Sequence, residues 1–466
     1  MKLLLPAIIA AVSSVALAGP APMFRPKEPI AQDPKIEFTK YTLPNGLEVI
    51  LAPDPTVPLV AVNIWYHVGS GNETYGKSGF AHLFEHMLFQ GSKHVGNDMH
   101  FEILKKIGAE NVNGTTNTDR TNYFEVVPSN QIETALWLES DRMGFLLDPP
   151  AKVADKDKDK YFQDSLSNQI DVVRNERRQS YDNRPYGKAL FATFQGLYPE
   201  GHPYRYLTIG KHEDLAKASI ADVQGFFRTW YVPANATLSI TGDFSIEDGK
   251  KLVDRWFGKF PKSVRPRVVT APRPSITSKE VEVSDEFAKL RQISFDWHTP
   301  AMFAEGDAEL DVAAAAMARE GVGHLYKALV YANKAQSVQA SQDSEGFSSV
   351  FTITVTLKSD SDMNEIKKIV MDEVANLAKT PLDQQEINRV VVSQEAQAVR
   401  GLETVLGRSQ RLQQYNHYLL DPDRLTWDLD RYRTTTPEKI RATVATYLQA
   451  TNVLTVITTP AAKGAK

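Results

Sequence analysis

The chain has 466 residues, and its 53 basic and 57 acidic side chains give a formal net charge of -4. This near balance of charge gives no indication of nucleic acid or of an anionic membrane surface as a partner. A chain of this length exceeds a single ordinary core, so we expect two or more domains. The chain contains no cysteine, which excludes disulfides and leaves the core alone to stabilise an exported form.

The N-terminal stretch has the pattern of a secretory signal peptide. Lys2 is followed by an apolar run over residues 3–17, and the small residues Ala16 and Ala18 end it. We expect a signal peptide over residues 1–18. A transmembrane anchor is less favoured because the run is short and rich in alanine and serine. We therefore predict an exported protein, periplasmic if the source is a Gram-negative bacterium, with no membrane attachment after cleavage.

Apolar runs and turn residues predict strands and helices throughout the first half. Asn45-Gly46, between two short apolar runs, is a hairpin signal. Further strands are expected over residues 59–68, 111–116, 121–127 and 237–241. Apolar periodicity predicts helices over residues 101–107, 131–145, 167–181 and 222–230. Residues 155–160 alternate Asp and Lys, which indicates a solvated insertion without an assigned function.

The second half repeats the first in outline. Residues 261–274 hold four prolines and indicate a linker, which we place at residues 261–279. The strand-like residues 292–297 echo residues 61–65, and the helical stretch that follows carries no histidine. Later elements are expected as a strand over 350–357, helices over 363–377 and 383–420, and a strand over 453–458.

The predicted fold class is α+β with two homologous domains, over residues 36–260 and 280–460. Each domain is expected to be a mostly antiparallel sheet packed with helices. Only the first carries the pattern of a metal site.

That pattern lies in residues 79–91, which are predicted to form an amphipathic helix at about 100° per residue. His82, Glu85, His86 and Phe89 fall on one face of this helix. The opposite face is apolar and consists of Leu83, Phe84, Met87 and Leu88. Ser78 is the expected N-cap, and Gly91 is the expected stop.

Two histidines four residues apart on one helix can bind one metal ion. The order here is H-x-x-E-H, an inverted form of the common zinc-peptidase helix. Glu85 can face the same ion without being a ligand, and its expected role is that of a general base that takes a proton from water. The alternative is a surface helix with solvated histidines, which the clean separation of the two faces argues against.

A catalytic zinc site usually has three protein ligands, and the sequence leaves several candidates for the third. Glu176 continues an apolar stripe through Val172 and Val173, so its carboxylate is expected to point inward and to need a partner. A salt bridge to a neighbouring arginine remains an alternative role for Glu176. The other candidates are His67, His94, His100, Glu102, Glu110, Glu125, Glu133 and Glu139.

Residues 79–91, together with residues 172–179, resemble the pitrilysin/insulinase family of zinc peptidases, in its mitochondrial-processing-peptidase-like branch. The resemblance extends from about residue 36 to the end of the chain. Supporting motifs are Asn113-Gly114-Thr115-Thr116, Asp119 with Thr121 and Tyr123, His202-Pro203-Tyr204, Ile209-Gly210, residues 231–237, and Gly242-Asp243.

The resemblance implies a single zinc ion bound by His82, His86 and Glu176, with Glu85 as the general base. It implies a LuxS/mitochondrial-processing-peptidase-like fold, in which the peptide substrate adds as a strand at the edge that carries Asn113, Gly114 and Thr115. The family often has a glutamate seven residues before the ligand glutamate. Here that position is Gln169, which can form a hydrogen bond but adds no charge.

The resemblance also implies an incomplete chamber. In the family a second half supplies an Arg and a Tyr, seven residues apart, that hold the substrate. The corresponding stretch of this chain carries Val330 and Gln336. We therefore expect a homologous partner subunit that lacks the zinc motif, in a heterodimer, with a homodimer as the other possibility.

The predicted function is that of a zinc metalloendopeptidase that cleaves short or unfolded peptides bound as an edge strand. One alternative is a noncatalytic peptide-binding or structural subunit of such a complex, although the intact H-x-x-E-H argues against it. Another is a metal hydrolase that acts on something other than peptides.

Overall fold

The structure, a computed structural model, describes residues 33–150 and 153–461. The predicted signal peptide at residues 1–18 lies outside the described residues. Residues 33–35 contain no helix or strand, and the described chain from Ile36 onward clusters as one unit.

The first half alternates strands with helices. Its strands are β1 (Thr39–Thr42), β2 (Glu48–Pro53), β3 (Leu59–Tyr66), β4 (Glu110–Thr116), β5 (Thr121–Pro128) and β6 (Ala236–Gly242). Its helices are α1 (Phe80–Met87), α2 (Met99–Lys106), α3 (Ile132–Phe145), α4 (Lys158–Arg177), α5 (Gly187–Leu197), α6 (His212–Leu215), α7 (Ile220–Trp230) and α8 (Ile246–Phe257).

The second half follows the same plan. Its strands are β7 (Lys279–Asp285), β8 (Gln292–Thr299), β9 (Ala335–Asp343), β10 (Ser349–Leu357) and β11 (Leu454–Pro460). Its helices are α9 (Asp307–Ala318), α10 (Met363–Leu377), α11 (Gln384–Gly401), α12 (Val405–Leu419), α13 (Leu425–Arg433) and α14 (Pro437–Tyr447).

The two sheets share one topology. The first has the strand order β1-β2-β6-β3-β5-β4, and the second has the order β7-β11-β8-β10-β9. In each sheet one pair is parallel, β2 with β6 and β7 with β11, and the other pairs are antiparallel. Apart from the additional β1, the second sheet repeats the first strand for strand. The fold is therefore α+β with two similarly built domains, as the sequence predicted.

The two halves exchange helices. α12, from the second half, packs on β3 and β6 of the first sheet, while α5, from the first half, packs on β7, β8 and β11 of the second. Gln413 of α12 donates to the backbone oxygens of Asn63 and Thr237 at 2.9 and 2.7 Å, and all three are buried. These two buried hydrogen bonds from one amide nitrogen fix how the sheet and the helix meet.

Several predicted elements are confirmed, among them the Asn45-Gly46 hairpin, whose strands β1 and β2 pair antiparallel. Residues 155–160 are mostly exposed, as predicted for a solvated stretch, and residues 158–160 begin α4. The single helix predicted over residues 383–420 is two helices, since Thr404 caps α12 by accepting from the Gly407 amide at 3.0 Å. No helix in the described ranges combines the length and the apolar character needed to span a bilayer.

Candidate metal centre and peptide edge

The helix α1 is anchored by its apolar face. Leu83, Phe84 and Met87 are buried in the hydrophobic core of the first half. The His82 and His86 side chains remain 12% and 23% exposed. The sequence periodicity therefore gave the correct faces, and burial of the apolar side holds the two imidazoles toward an open surface.

The start of α1 differs from the prediction. The N-cap is Gly79, at φ 90°, and not Ser78. The Glu73 carboxylate accepts hydrogen bonds from the Gly79 and Ala81 amides at 3.0 and 2.8 Å, which satisfies N–H groups that the helix itself cannot pair. The Ser78 hydroxyl instead donates to Asp214 at 2.6 Å and ties the segment before the helix to α6.

The end of α1 also comes earlier than predicted. The helix ends at Met87 with Leu88 as its C-cap, and Gly91 lies beyond it at φ 117°. Phe89, which was predicted on the histidine face of the helix, is buried and stacks on Phe101 at 4.6 Å between ring centroids.

The helix α4 brings Glu176 to the two histidines. Nε2 of His82 and Nε2 of His86 lie 3.3 Å apart, and Oε2 of Glu176 lies 3.6 and 3.4 Å from them. Ligands at about 2.0–2.1 Å from a tetrahedral ion are separated by about 3.3 Å. The three atoms therefore fit the donor spacing and the N/O donor set of a zinc site.

The electrostatics of the three groups agree with this geometry. Burial, together with the neighbouring His86, lowers the pKa of His82 to about 4. The hydrogen bond with His86 is the largest of the effects that lower the pKa of Glu176. A neutral imidazole and an ionised carboxylate are the protonation states that bind metal ions.

Glu85 lies beside the triangle and is held by the sheet. Its Oε2 accepts a hydrogen bond from the Thr116 hydroxyl at 2.6 Å. Burial raises the pKa of Glu85, against the lowering effects of this hydrogen bond and of His86. A carboxylate with a raised pKa is a better proton acceptor near neutral pH than an ordinary glutamate.

The strand β4 forms the edge of the first sheet. It pairs with β5 alone, through Asn113, Gly114 and Thr115, which lie opposite Phe124, Tyr123 and Asn122. Gly114 and Thr116 face α1, since a Cβ built on Gly114 would lie 3.0 Å from Cγ of Glu85. An open strand edge next to the Glu85 carboxylate can pair with an extended chain.

The residues that surround Glu176 in sequence, and the other candidate ligands, differ in burial and position. Val173 is buried, but Val172 is 41% exposed, so the stripe that led to Glu176 is narrower than predicted. Gln169 is buried. The candidates that lie outside the triangle are His67, His94, His100, Glu102, Glu110, Glu125, Glu133 and Glu139. Of these, His100, Glu125 and Glu139 form a second, buried group, in which Glu139 is paired with Arg142 at 2.6 Å.

Sequence reasoning did not find Glu73, Asp214 or Thr116. Glu73 and Thr116 lie on other elements than α1, and the bond between Ser78 and Asp214 joins positions 136 residues apart. No local periodicity marks such contacts. Thr116 belongs to the motif Asn113-Gly114-Thr115-Thr116, but the sequence indicates no role for its hydroxyl.

Comparisons with known proteins agree with these features. A family model described as insulinase (peptidase family M16) matches residues 48–178, and one described as the peptidase M16 inactive domain matches residues 217–392. The zinc protease PqqE of Helicobacter pylori is 25% identical over 369 residues, which cover 78% of this chain and 80% of that protein. A probable mitochondrial-processing peptidase subunit beta of Arabidopsis thaliana is 23% identical over 283 residues, 59% of this chain and 49% of that protein.

Solved structures share the fold. A crystal structure of a protease from Helicobacter pylori matches with a TM-score of 0.82 at 23% identity, over 91% of this chain and all of that one. The periplasmic protease PqqL of Escherichia coli matches with a TM-score of 0.74 at 16% identity, over 92% of this chain and 48% of that one. This chain therefore spans about half of PqqL and of the Arabidopsis protein, and most of PqqE.

The relatives are named zinc proteases or processing peptidases, while the model that matches the second segment carries the description of an inactive domain. The two family models match most of both halves, and the fold and the pattern of the α1 helix agree with them. The chain belongs to the M16, or insulinase, family of peptidases.

Proposed function

We propose that this protein is a zinc-dependent endopeptidase, with His82, His86 and Glu176 as the ligands of one zinc ion and Glu85 as the general base. The observation that carries the proposal is the triangle of ligand atoms, with sides of 3.3, 3.4 and 3.6 Å. The zinc proteases among the relatives support the choice of metal.

A zinc ion at this position would supply Lewis acidity, which lowers the pKa of water and polarises a carbonyl. The chain supplies the proton transfers. Glu85 accepts the proton of the attacking water at its carboxylate and afterwards delivers it to the leaving amine. The hydrogen bond from Thr116 keeps this carboxylate in place during both transfers.

We propose that the peptide binds as an additional strand on β4, along Asn113, Gly114 and Thr115. Backbone pairing of this kind requires an extended segment, so the substrates are short or unfolded peptides. Gly114 has no side chain, so nothing from this position of β4 stands between the bound peptide and Glu85, and the peptide can approach the carboxylate closely.

We propose that the chain works with a homologous partner subunit that carries the Arg/Tyr pair and lacks the zinc motif. Val330 is apolar and Gln336, on the edge strand β9, carries a neutral amide, so neither can supply a positive charge or a phenol to the substrate. PqqL is about twice the length of this chain, and the Arabidopsis relative is named as a subunit, which supports a second half. A homodimer is the competing arrangement.

The domain limits and the location belong to the same proposal. We propose domains over residues 36–260 and 280–460 with a linker at 261–279, since helices and strands are absent between Phe257 and Lys279 in this described segment. We propose export through a signal peptide at residues 1–18. The description of PqqL as periplasmic supports that location.

To test the proposal, bound zinc and peptide cleavage are measured on the same preparation of this protein. The protein is assayed by itself and with a homologous chain that lacks H-x-x-E-H. About one zinc per chain is expected, with cleavage in the presence of the second chain. Glu85→Gln should retain the zinc and lose about 10²–10⁴-fold in rate. His82→Ala should lose the zinc, whereas His324→Ala, which removes a histidine of the second half, should retain it.

Each other outcome is decisive. Zinc with full cleavage by the single chain would contradict the partner. Zinc with no cleavage of any peptide would favour the noncatalytic peptide-binding or structural subunit, and cleavage of esters alone would favour another hydrolase. A folded protein without bound metal would overturn the site.

A further inference from the structure

The two faces of the edge strand β4, on which the peptide is proposed to bind, have different neighbours. Thr116 faces the candidate metal centre, and its hydroxyl donates a hydrogen bond to Glu85. Thr115 faces the other side of the sheet, where its hydroxyl donates to Asn122 at 2.5 Å. Successive residues of a strand alternate between faces, so a peptide paired with β4 presents every second side chain to the side of Thr115.

A pocket of about 560 Å³ opens on that side. It lies between the first sheet and the break between α11 and α12. Three arginines contribute to its wall, namely Arg120, Arg400 and Arg411. The remaining lining includes the aromatic residues Trp65, Phe124 and Tyr418, and the lining contains no aspartate or glutamate.

None of these arginines has a close ion-pair partner among the described residues, although Glu85 and Asp119 act on Arg120 from a longer range. In the part of the chain that the structure describes, none of the three has a carboxylate oxygen within 4.0 Å of its guanidinium. Arg120 donates to the backbone oxygen of Thr115 at 2.9 Å and to Asn122 at 3.0 Å, and its guanidinium packs on Trp65. Arg411 donates to Gln414 at 3.2 Å.

Three positive charges around one pocket favour the binding of an anion there. The planar guanidinium group is suited to bidentate hydrogen bonding with a carboxylate. Arg120 also binds the backbone of β4, so the charged wall is continuous with the strand on which the peptide is proposed to pair.

We propose that this arginine pocket is a specificity site for a carboxylate side chain, Asp or Glu, of the peptide bound on β4. The inference rests on the proposed function, and it adds which peptides the site prefers. The acidic residue lies opposite Thr115, one position along the strand from a residue that faces the metal centre.

The test uses Glu85→Gln protein with zinc bound, together with the homologous partner chain that is proposed to hold the substrate, so that binding is measured with little cleavage. The probes are N-acetylated, C-amidated peptides in which a Glu, a Gln or a Lys is moved through successive positions. At one position we expect Glu to bind about tenfold or more tightly than Gln, and Lys to bind weakest, because charge-assisted bonds exceed neutral ones. This preference should decrease with added salt.

A Gln peptide with a free C-terminus separates the two sources of a carboxylate. Tight binding of the Glu side-chain peptide, with the free-terminus Gln peptide binding like its amidated form, is the expected result. Preference for the free terminus over the Glu side chain would overturn the assignment to a side chain.

Substitutions in the arginine pocket test which arginines contribute to the preference for a Glu side chain. Arg400→Gln and Arg411→Gln should each reduce the ratio of Glu to Gln binding, and Arg411→Glu should shift the preference toward Lys. Neither arginine binds the backbone of β4, so these variants leave the edge intact. Arg441→Gln makes the same chemical change on α14, outside the pocket, and should leave the ratio unchanged.

The same binding experiment distinguishes a failure of the arginine pocket from a failure of the peptide edge on β4. Binding of all peptides with equal affinity for Glu and Gln at every position would overturn the pocket and keep the peptide edge. Absence of binding by every peptide would overturn the peptide edge and the pocket with it. A Glu preference that persists unchanged in Arg400→Gln and Arg411→Gln would assign the recognition elsewhere.

Discussion

The hydroxyl of Thr116 donates a hydrogen bond of 2.6 Å to Oε2 of Glu85, which joins the edge strand β4 to the helix α1. The same strand that is proposed to bind the peptide thus also holds the proposed base. A displacement of the strand would move the carboxylate that has to reach the attacking water.

Thr116→Val tests this coupling because valine keeps the shape of the side chain and removes the hydroxyl. We expect zinc to remain at about one per chain and the rate of peptide cleavage to fall about 10–100-fold, as is typical for partners that orient a site. The measurement is kcat and KM together with metal content. Thr116→Ser, which retains the hydroxyl, should recover most of the rate; an unchanged rate in Thr116→Val would contradict the role.

Gly114→Ala tests the close approach of the edge to the base. The added Cβ would lie 3.0 Å from Cγ of Glu85, 3.0 Å from Phe89 and 3.2 Å from Tyr123, so Glu85 has to shift by a few tenths of an ångström. We expect kcat/KM for a peptide to fall about tenfold, since small misplacements of catalytic groups are costly. Gly225→Ala is the control, because its Cβ would meet nothing within 4 Å. Equal activities of the two variants would be evidence against the steric argument.

Gly210→Ala tests the close packing of Gly210 against Ser78 and Gly79, at the start of α1. At Gly210, φ is 72° and a Cβ would lie 2.4 Å from Cα of Gly79 and from the oxygen of Ser78, directly before the helix. We expect a lower melting temperature and weaker zinc binding, because the start of α1 must move. Gly201→Ala, at φ 80° with nothing within 4 Å, measures the cost of the backbone conformation alone. A loss no larger than that of Gly201→Ala would show that the contact with Gly79 is unimportant.

Asp296 provides a prediction about pH. It is buried on β8, and its oxygens accept hydrogen bonds from the hydroxyls of Ser294 and Thr352, each at 2.8 Å. Burial raises the pKa of Asp296 to about 6, and the nearby Asp343 acts in the same direction. The unfolded chain releases this proton near pH 3.9. Protonated Asp296 therefore makes its full contribution to the free energy of unfolding below about pH 4. This contribution is lost as the pH rises to about 6, because the buried carboxylate then ionises.

Asp296→Asn removes this loss, because the amide stays neutral. Relative to the wild type, we expect the variant to gain about 1–3 kcal/mol in unfolding free energy between pH 4 and pH 7. The measurement is thermal unfolding of both proteins across that range. Asp360→Asn, at an exposed loop position, should show no such gain. Parallel stability curves for the wild type and Asp296→Asn would contradict the raised pKa.

The helix α1 and the hairpin of β1 and β2 were predictable because their signals are local. Burial of Leu83 and Phe84 on one side and partial exposure of His82 and His86 on the other follow from spacing within one helix. The break between α11 and α12 was also local, since Thr404 caps the second helix through Gly407, but it was overlooked in a long run of helix-forming residues.

Contacts between distant elements were not accessible in this way. Glu176 was one of several candidates until the packing of α4 on α1 placed its carboxylate 3.4 Å from His86. Glu73 lies only six residues before Gly79, but it reaches the backbone amides of α1 from a loop, and helical periodicity does not extend into a loop. The pairing of Thr116 with Glu85 requires the register of the edge strand as well as the position of the helix.

Hydrophobic periodicity and residues within a few positions of one another were enough to predict the α+β fold with two repeated domains and the H-x-x-E-H helix. The tertiary structure alone decided how Glu176 meets the histidines and how Arg120, Arg400 and Arg411 come to share a pocket. The reason is that such contacts depend on how helices and sheets pack across hundreds of residues, and the spacing of side chains along the chain does not record that packing.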